Sequence, residues 1–303
     1  MEKKMMKAAV CKRYGPPEMV KIEQRPKPVP RDNEILIRIH ATTVSSGDCR
    51  VRSANVPALS MLVLGIGKPR KSVLGTELSG QVEAVGKKVT TLKEGDAVFA
   101  MTGMKFGAHA EYVALPEDGP LAPKPDNLSH EQAAALSFGG TSALHFLRKA
   151  KLQQGQKILI YGASGSVGTS AVQLAKHFGA EVTGVCSDDN AELVKSLGAD
   201  FIIDYAAEDF RTQDKQYDVI FDAVGKISKS SCKHNLSPNG KFVTVESGMA
   251  TERAEDLYFL GQLVRSGTFK PIIDKTFPLE QIVDAHAYVD IGHKKGNVVI
   301  RVC

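Results

Sequence analysis

Residues 34–41 (EILIRIHA) alternate apolar and polar side chains, the period of a strand with one buried face. Short runs of similar character fall at 7–11, 20–24, 78–85, 97–100 and 109–115, punctuated by Gly86, Gly95-Asp96, Gly103 and Gly107. This spacing predicts a small β-barrel over residues 1–128, with the proline-rich stretch 25–30 as an extended connector. At Ser129 the pattern changes. Ser129 reads as a helix N-cap with Gln132 completing a capping box, and an alanine-rich helix follows. Helices and strands then alternate: helix 141–150, strand 157–161, helix 167–178, strand 181–186, helix 190–197 stopped by Gly198, and strand 201–204. Strands at 217–223 and 241–245, with a helix at 228–236 between them, continue the series. Alternation of this kind predicts right-handed crossovers and a parallel sheet covered by helices on both faces. A segment at 256–266 and a tail at 271–303, ending in a strand at 297–302, complete the chain.

The series is organised around residues 157–178, KILIYGASGSVGTSAVQLAKHF. An apolar strand breaks into Gly162, Ala163, Ser164, Gly165, Ser166, Val167 and Gly168. A helix follows whose apolar stripe is Val167, Ala171, Leu174, Ala175 and Phe178. Strand, glycine turn and helix in this order gather backbone N–H groups and the positive end of a helix dipole, which suits a pyrophosphate. Gly165 permits close approach to phosphates and Gly168 permits close helix packing, while Ala163 occupies the first position of the G-x-G-x-x-G fingerprint. A second strand ends about twenty residues on at Ser187, Asp188 and Asp189, where a ribose would lie. These features point to a dinucleotide.

Composition narrows the alternatives. At 303 residues, with 43% hydrophobic and 24% charged residues, the chain has room for two domains and an ordinary globular core. The first fifteen residues carry lysines but no apolar signal core, and no later run approaches a membrane span. The expectation is therefore a cytoplasmic protein without a membrane partner. The net charge of +5 is spread along the chain with no basic block interleaved with aromatics, so no nucleic-acid partner is expected either. Five cysteines, none in a C-x-x-C pair, read as free thiols in a reducing compartment.

The motifs GQKILIYGASGSVG, EYVALPED, VTGVCS, LGADFIIDY, YDVIFDAVG and the closing HKKGNVVI cover nearly the whole chain. Together they resemble the medium-chain dehydrogenase/reductase superfamily, and within it the zinc-independent quinone oxidoreductase (zeta-crystallin-like) branch. The resemblance implies an α/β protein: a GroES-like β-barrel catalytic domain (1–128 and 268–303) and a Rossmann doubly wound parallel sheet domain (129–267). It also sets an internal test. Zinc-dependent relatives carry a Cys after the strand matching 34–41, and then a Gly-His-Glu. Here the first stretch is Val44-Ser45-Ser46-Gly47-Asp48-Cys49 and the second is Gly75-Thr76-Glu77. Threonine replaces the histidine, 136–139 lacks the remaining ligand, and no four-cysteine lobe exists, so no metal site is expected.

Without a Lewis acid, oxidising an alcohol at neutral pH is difficult, whereas hydride addition to a quinone or an α,β-unsaturated carbonyl needs mainly positioning and hydrogen bonds. The resemblance thus implies an NAD(P)H-dependent quinone or enone oxidoreductase; a nucleotide-binding sensor without turnover is the alternative. Ser45, Ser46 and Asp48, in the segment that replaces the zinc loop, are the candidate catalytic residues. Ser142 matches a threonine that touches the nicotinamide-side phosphate in relatives, Tyr205 matches a tyrosine beside the adenosine ribose, and Ala223, Val224 and Gly225 border the cofactor at a strand end. Ser187 with Tyr205 favours NADPH. Asp188 and Asp189 favour NADH, since close relatives commonly have a basic residue where Asp189 stands. Finally, residues 246–255 are too short for the helix and strand that relatives place there. This puts the usual homodimer in doubt and leaves a sheet edge uncovered.

Overall fold

The computed structural model describes residues 4–248 and 250–303. Strands β1 (Met5–Cys11), β2 (Val20–Pro26) and β3 (Glu34–Val44) lead into helices α1 (Ser46–Arg52) and α2 (Met61–Leu64). Then come β4 (Glu77–Val85), β5 (Ala97–Met101), β6 (Tyr112–Pro116), β7 (Leu121–Pro123) and α3 (His130–Ala150). Next are β8 (Lys157–Tyr161), α4 (Ser166–His177), β9 (Glu181–Cys186), α5 (Ala191–Ser196), β10 (Phe201–Asp204), β11 (Tyr217–Asp222) and β12 (Leu236–Thr244). Helix α6 (Ala254–Arg265), β13 (Ile273–Pro278), α7 (Ile282–Asp290) and β14 (Asn297–Arg301) close the chain. Two compact units result. Unit one holds Met1–Ser137, Glu252–Gln262 and Ile273–Cys303; unit two holds Phe138–Thr251 and Leu263–Ile272.

Unit one is built on β3, whose alternation buries Ile35, Ile37 and Ile39 completely against Leu78, Val82, Val98 and Ala100. Each such side chain contributes about 1.5–3 kcal/mol by leaving water. The seven-stranded sheet runs β13-β14-β3-β4-β5-β7, with β6 pairing β3 off this path, while β1 and β2 form a separate antiparallel ribbon. A second core gathers Val44, Cys49, Leu74, Leu279, Ile282, Ala285 and Val298 beneath α1 and α7. The ring expected from the strand spacing is open among the described residues. Strand pairing between the ribbon and its neighbours is limited, among the described residues, to the isolated bridges Ala8↔Ala110 and Val10↔Val73, and β2 ends at Pro26, in a stretch where prolines lack backbone donors.

Unit two carries a wholly parallel five-stranded sheet, order β10-β9-β8-β11-β12. Strands β8, β9 and β11 are nearly continuous apolar runs, which marks strands covered on both faces. Strand order reverses between β8 and β11, so their carboxyl ends, Tyr161 paired with Asp222, open the crevice where ligands bind in such sheets.

Two expectations change. The helices expected after Ser129 and at 141–150 are one helix of 21 residues. The Gly139-Gly140 pair between them is no break: a Cβ on Gly139 would lie 2.6 Å from the Ser166 carbonyl oxygen, so glycine is there for close approach. The capping box at its start does form, with Ser129 N–H donating to Gln132 Oε1 (3.0 Å) and Gln132 N–H to Ser129 Oγ (3.2 Å). The helix expected at 228–236 is absent apart from a single turn, Lys233–Asn235. Ser228 and Ser231 instead bond each other's backbone through their hydroxyls, which competes with helix formation. Beyond β12 only a short turn, Val245–Ser247, precedes α6, and Met249 lies outside the described residues. Strand β12 is therefore the sheet edge, with Pro238 and Asn239 exposed on it; proline at an edge blunts unwanted pairing.

Candidate active site

The turn between β8 and α4 is shaped by backbone contacts. Gly162 lies at φ +79°, a left-handed conformation that glycine adopts without strain, and a Cβ there would meet Val224 Cγ1 at 2.5 Å. Gly168 packs so closely that its Cβ would sit 2.0 Å from the Gly162 carbonyl oxygen. Gly165 is different. It has φ −77° and ψ 179°, ordinary extended backbone, and its Cβ would find nothing nearer than 3.6 Å. Nothing in the protein therefore requires glycine at 165, and the space in front of it is a cradle that a side chain would fill. Gly165 is also the N-cap of α4 and brings no side chain of its own, so the first turn of α4 begins behind open space. The cradle fits a diphosphate. Ala163 is fully buried and donates its N–H to Val185 O (3.0 Å), so a methyl group is accommodated at the fingerprint's first position.

The neighbouring strand ends converge on this turn. Asn190 is buried; its amide donates to Ser164 Oγ (3.2 Å) and Ser187 Oγ (3.0 Å), joining the glycine turn to the end of β9. Asp188 is exposed just beyond, and the half-exposed Tyr205, directly after β10, donates its N–H to Cys186 O (3.2 Å) at the end of β9. At the end of β11, the fully buried Asp222 accepts N–H bonds from Val224, Gly225, Lys226 and Ile227, plus the Thr244 hydroxyl. Of the segment Ala223–Val224–Gly225, the amides of the last two thus turn inward to Asp222, and the exposed Val224 side chain is what borders Gly162. The sequence reading placed Asp222 at a strand end for its backbone and missed its carboxylate, which holds the following loop; it missed Asn190 altogether. The signal for Asp222 was an acidic residue at a parallel strand's carboxyl end. Ser142 is buried on α3, which meets the cradle through Gly139, nearly one turn earlier.

Unit one holds a separate cluster at the end of β3. Ser45 caps α1 in a capping box: its Oγ accepts from Asp48 N (3.1 Å), and its N–H and Oγ donate to Asp48 Oδ2 (2.9 and 2.6 Å). Asp48 Oδ1 accepts from Gly75 N (3.1 Å), so both carboxylate oxygens are bonded within the protein, and the residue is 1% exposed. Ser45 is buried too. Of the three candidates only Ser46, the first residue of α1, presents its hydroxyl to solvent.

Of the residues in the stretches that match zinc-binding segments, Cys49 and Glu77 are engaged within the protein. The buried Cys49 thiol lies 3.4 Å from His286 Nδ1; burial, with Asp290 and Asp48 adding to it, pushes the thiol above its usual range. Burial, reinforced by His109, holds His286 neutral and well below the usual imidazole value. Glu77 is buried, accepting from the Thr43 hydroxyl, and Thr76 Oγ lacks a hydrogen-bond partner. A protonated thiol, a hydroxyl and a bonded carboxylate do not make a zinc donor set. Among the described residues no group of three or more His, Cys, Asp or Glu side chains is arranged to hold a metal. Lys294, half-buried, donates to Gly296 O (2.5 Å). Burial pulls it down to about 8 against the opposing pull of Glu77, Asp274 and Cys49. It was also missed; in HKKGN it reads as one lysine of a surface pair.

A parallel sheet with a glycine turn at its switch point, joined in one chain to a β-rich unit with a buried polar cluster, is the arrangement of two-unit nucleotide-dependent oxidoreductases. Family models for an alcohol dehydrogenase GroES-like domain and a zinc-binding dehydrogenase match residues 31–126 and 166–270, and a second zinc-binding dehydrogenase model matches 246–300. A 2-methylene-furan-3-one reductase from Solanum lycopersicum is 36% identical over 97% of this chain and 79% of its own length. An NADPH-dependent alkenal/one oxidoreductase from Arabidopsis thaliana is 33% identical over 98% and 80%. The quinone oxidoreductase structure from Coxiella burnetii superposes with a TM-score of 0.91 at 30% identity, covering 99% of this chain and all of that one. The chain belongs to the medium-chain dehydrogenase/reductase family.

Proposed function

We propose that this protein reduces quinones or α,β-unsaturated carbonyls with NADPH and without zinc. The observation that carries the reading is Gly165, a glycine the fold does not need, set with open space before the first turn of α4, in a protein whose Cys49 and Glu77 are engaged within the fold. A bound reduced nicotinamide supplies the hydride. The amides of Ser166, Val167 and Gly168 hold the diphosphate, Gly162, Ala163 and Ser164 shape the turn, and Ser187, Asp188 and Tyr205 line the ribose side. Ser142 and the segment 223–225 complete the nucleotide site. NADPH is preferred on the strength of Ser187, Tyr205 and the relative named for that cofactor.

On the acceptor side, Ser46 donates its hydroxyl to the carbonyl oxygen. As hydride reaches the β-carbon, the π electrons move onto that oxygen, and the hydrogen bond strengthens as charge develops. The enolate then takes a proton from water. Ser45 and Asp48 act one step away, fixing the first turn of α1 so that Ser46 is presented at a constant angle. The cation at Lys294 offsets the buried Glu77 carboxylate. The substrate class agrees with the activated alkenes named for the relatives from tomato and Arabidopsis. The test is NADPH oxidation followed by absorbance with a panel of small quinones, alkenals and enones. An acceptor-dependent rate supports the proposal, whereas tight binding with no rate for any acceptor makes the protein a nicotinamide sensor instead.

A further inference from the structure

Residues 58–66 combine two features that the reductase reading does not use. A turn at Ala58–Ser60 continues into α2, where Leu59, Leu62 and Val63 follow the i, i+3, i+4 spacing that ordinarily marks a buried face, and Ile66 follows just past the C-cap Gly65. Here these residues are outside: the four side chains are 77%, 55%, 59% and 77% exposed. The element is nonetheless held firmly at its base. Leu64 is buried in the core, Gly65 O accepts from the Tyr14 hydroxyl (2.7 Å), and Arg70 N donates to Leu64 O (2.7 Å). The second feature is charge. From Cys49 to Thr76 the sequence contains five basic residues and no acidic one, although acidic and basic residues are nearly balanced in the whole chain, 34 against 39. Arg52 of these is buried against Asp290, while Lys68, Arg70 and Lys71 are exposed directly after the apolar knob and make no ion pair among the described residues.

We propose that this knob docks the protein on an anionic lipid bilayer, with Leu59, Leu62, Val63 and Ile66 entering the boundary between headgroups and acyl chains while Lys68, Arg70 and Lys71 meet the anionic headgroups. An apolar projection flanked by basic residues is the chemistry of interfacial binding, which needs a depth of only about 5–10 Å. It needs no spanning helix, and among the described residues none is long and apolar enough to cross a membrane. A second copy is a poorer occupant, because a two-fold contact would bring the same basic cluster of both copies together. A protein groove is poorer as well, since a helical stretch this short offers fewer anchors than groove-bound helices use. The inference stands apart from the proposed activity and replaces the expectation that no membrane takes part.

Flotation of the full-length protein with vesicles of phosphatidylcholine alone, and of phosphatidylcholine mixed with phosphatidylserine, tests it. The protein should float with the anionic vesicles, about tenfold less with neutral ones, and progressively less as salt is raised. The double variant Leu62→Asp, Val63→Asp should lose flotation by about tenfold or more, and the variant Lys68→Glu, Arg70→Glu likewise. All four side chains are exposed, so both proteins should keep the wild-type melting temperature. Wild-type protein left in the soluble fraction with anionic vesicles would overturn the proposal, as would an apolar double variant that floats as well as wild type. A wild-type dimer in light scattering that Leu62→Asp turns into a monomer would assign the face to a second copy and overturn it too.

Discussion

Gly165 and Gly168 stand three residues apart in the same turn, yet the structure assigns them opposite consequences. A leucine at 165 needs no unusual backbone, since φ is −77°, and its Cβ keeps an ordinary 3.6 Å from Gly162 O. Losing glycine at the helix N-cap should cost no more than about 1 kcal/mol. The leucine side chain, however, would occupy the space before the α4 amides. A diphosphate held there accepts charge-assisted hydrogen bonds of about 1.5–3 kcal/mol each, so displacing even one or two weakens NADPH binding by about a hundredfold. Gly168→Ala does the reverse. Its methyl would meet backbone on two sides, Gly162 O at 2.0 Å and Ala163 C at 2.8 Å, and overpacking against groups that cannot rotate away costs about 1–3 kcal/mol or more. Fluorescence titration with NADPH and denaturant melts of both variants separate the two effects. The reasoning is refuted if Gly165→Leu binds NADPH within about threefold of wild type, or if Gly168→Ala is as stable as the parent.

Other outcomes follow from single groups. Ser46→Ala should lower kcat/KM for an enone by about tenfold while leaving stability within about 0.5 kcal/mol, because the residue is exposed; an unchanged rate removes it from the site. Asp48→Asn sets an amide donor against the groups that now donate to the carboxylate, and should cost about 2–3 kcal/mol by urea denaturation. Glu252 lines a cavity of about 470 Å³ in unit one with Met101, Met104 and Leu121, and burial pushes its carboxyl up to about 7. The folded state therefore holds this proton more tightly than the unfolded one, so its contribution to stability falls as pH rises from 4.5 to 7. With solvent screening of the half-buried group, Glu252→Gln should stabilise the protein by about 1–2 kcal/mol at pH 8 and by almost nothing at pH 4, as read by thermal melts.

The inner strands of unit two were legible because parallel, doubly covered strands are simple apolar runs: 157–161 and 181–186 coincide with β8 and β9, and 201–204 coincides with the edge strand β10. The glycine turn was legible for a similar reason, since its chemistry is local. What sequence pattern hid was tertiary. Gly139 looks like a helix break until the carbonyl of Ser166 is placed against it, and the serines at 228–231 look helix-compatible until their hydroxyls take the backbone donors. Asn190 and Asp222 carry no periodic signal, because Asn190 works by bonding the hydroxyls of Ser164 and Ser187 and Asp222 by bonding the backbone of the loop that follows it. Asp48 was found by its position in the loop, but only the structure shows its two oxygens occupied by Ser45 and Gly75. Lys294 and the outward-facing stripe at 59–66 were hidden for opposite reasons. Lys294 lies in a charged run yet is half-buried, and Leu59, Leu62, Val63 and Ile66 are apolar yet lie in solvent.

The central claim, hydride transfer from a nicotinamide to an activated acceptor without a metal, is tested most directly by steady-state oxidation of NADPH with an enone, before and after exhaustive treatment with a zinc chelator. The account predicts an acceptor-dependent rate that the chelator leaves unchanged. A rate abolished by the chelator and restored by added zinc would contradict it.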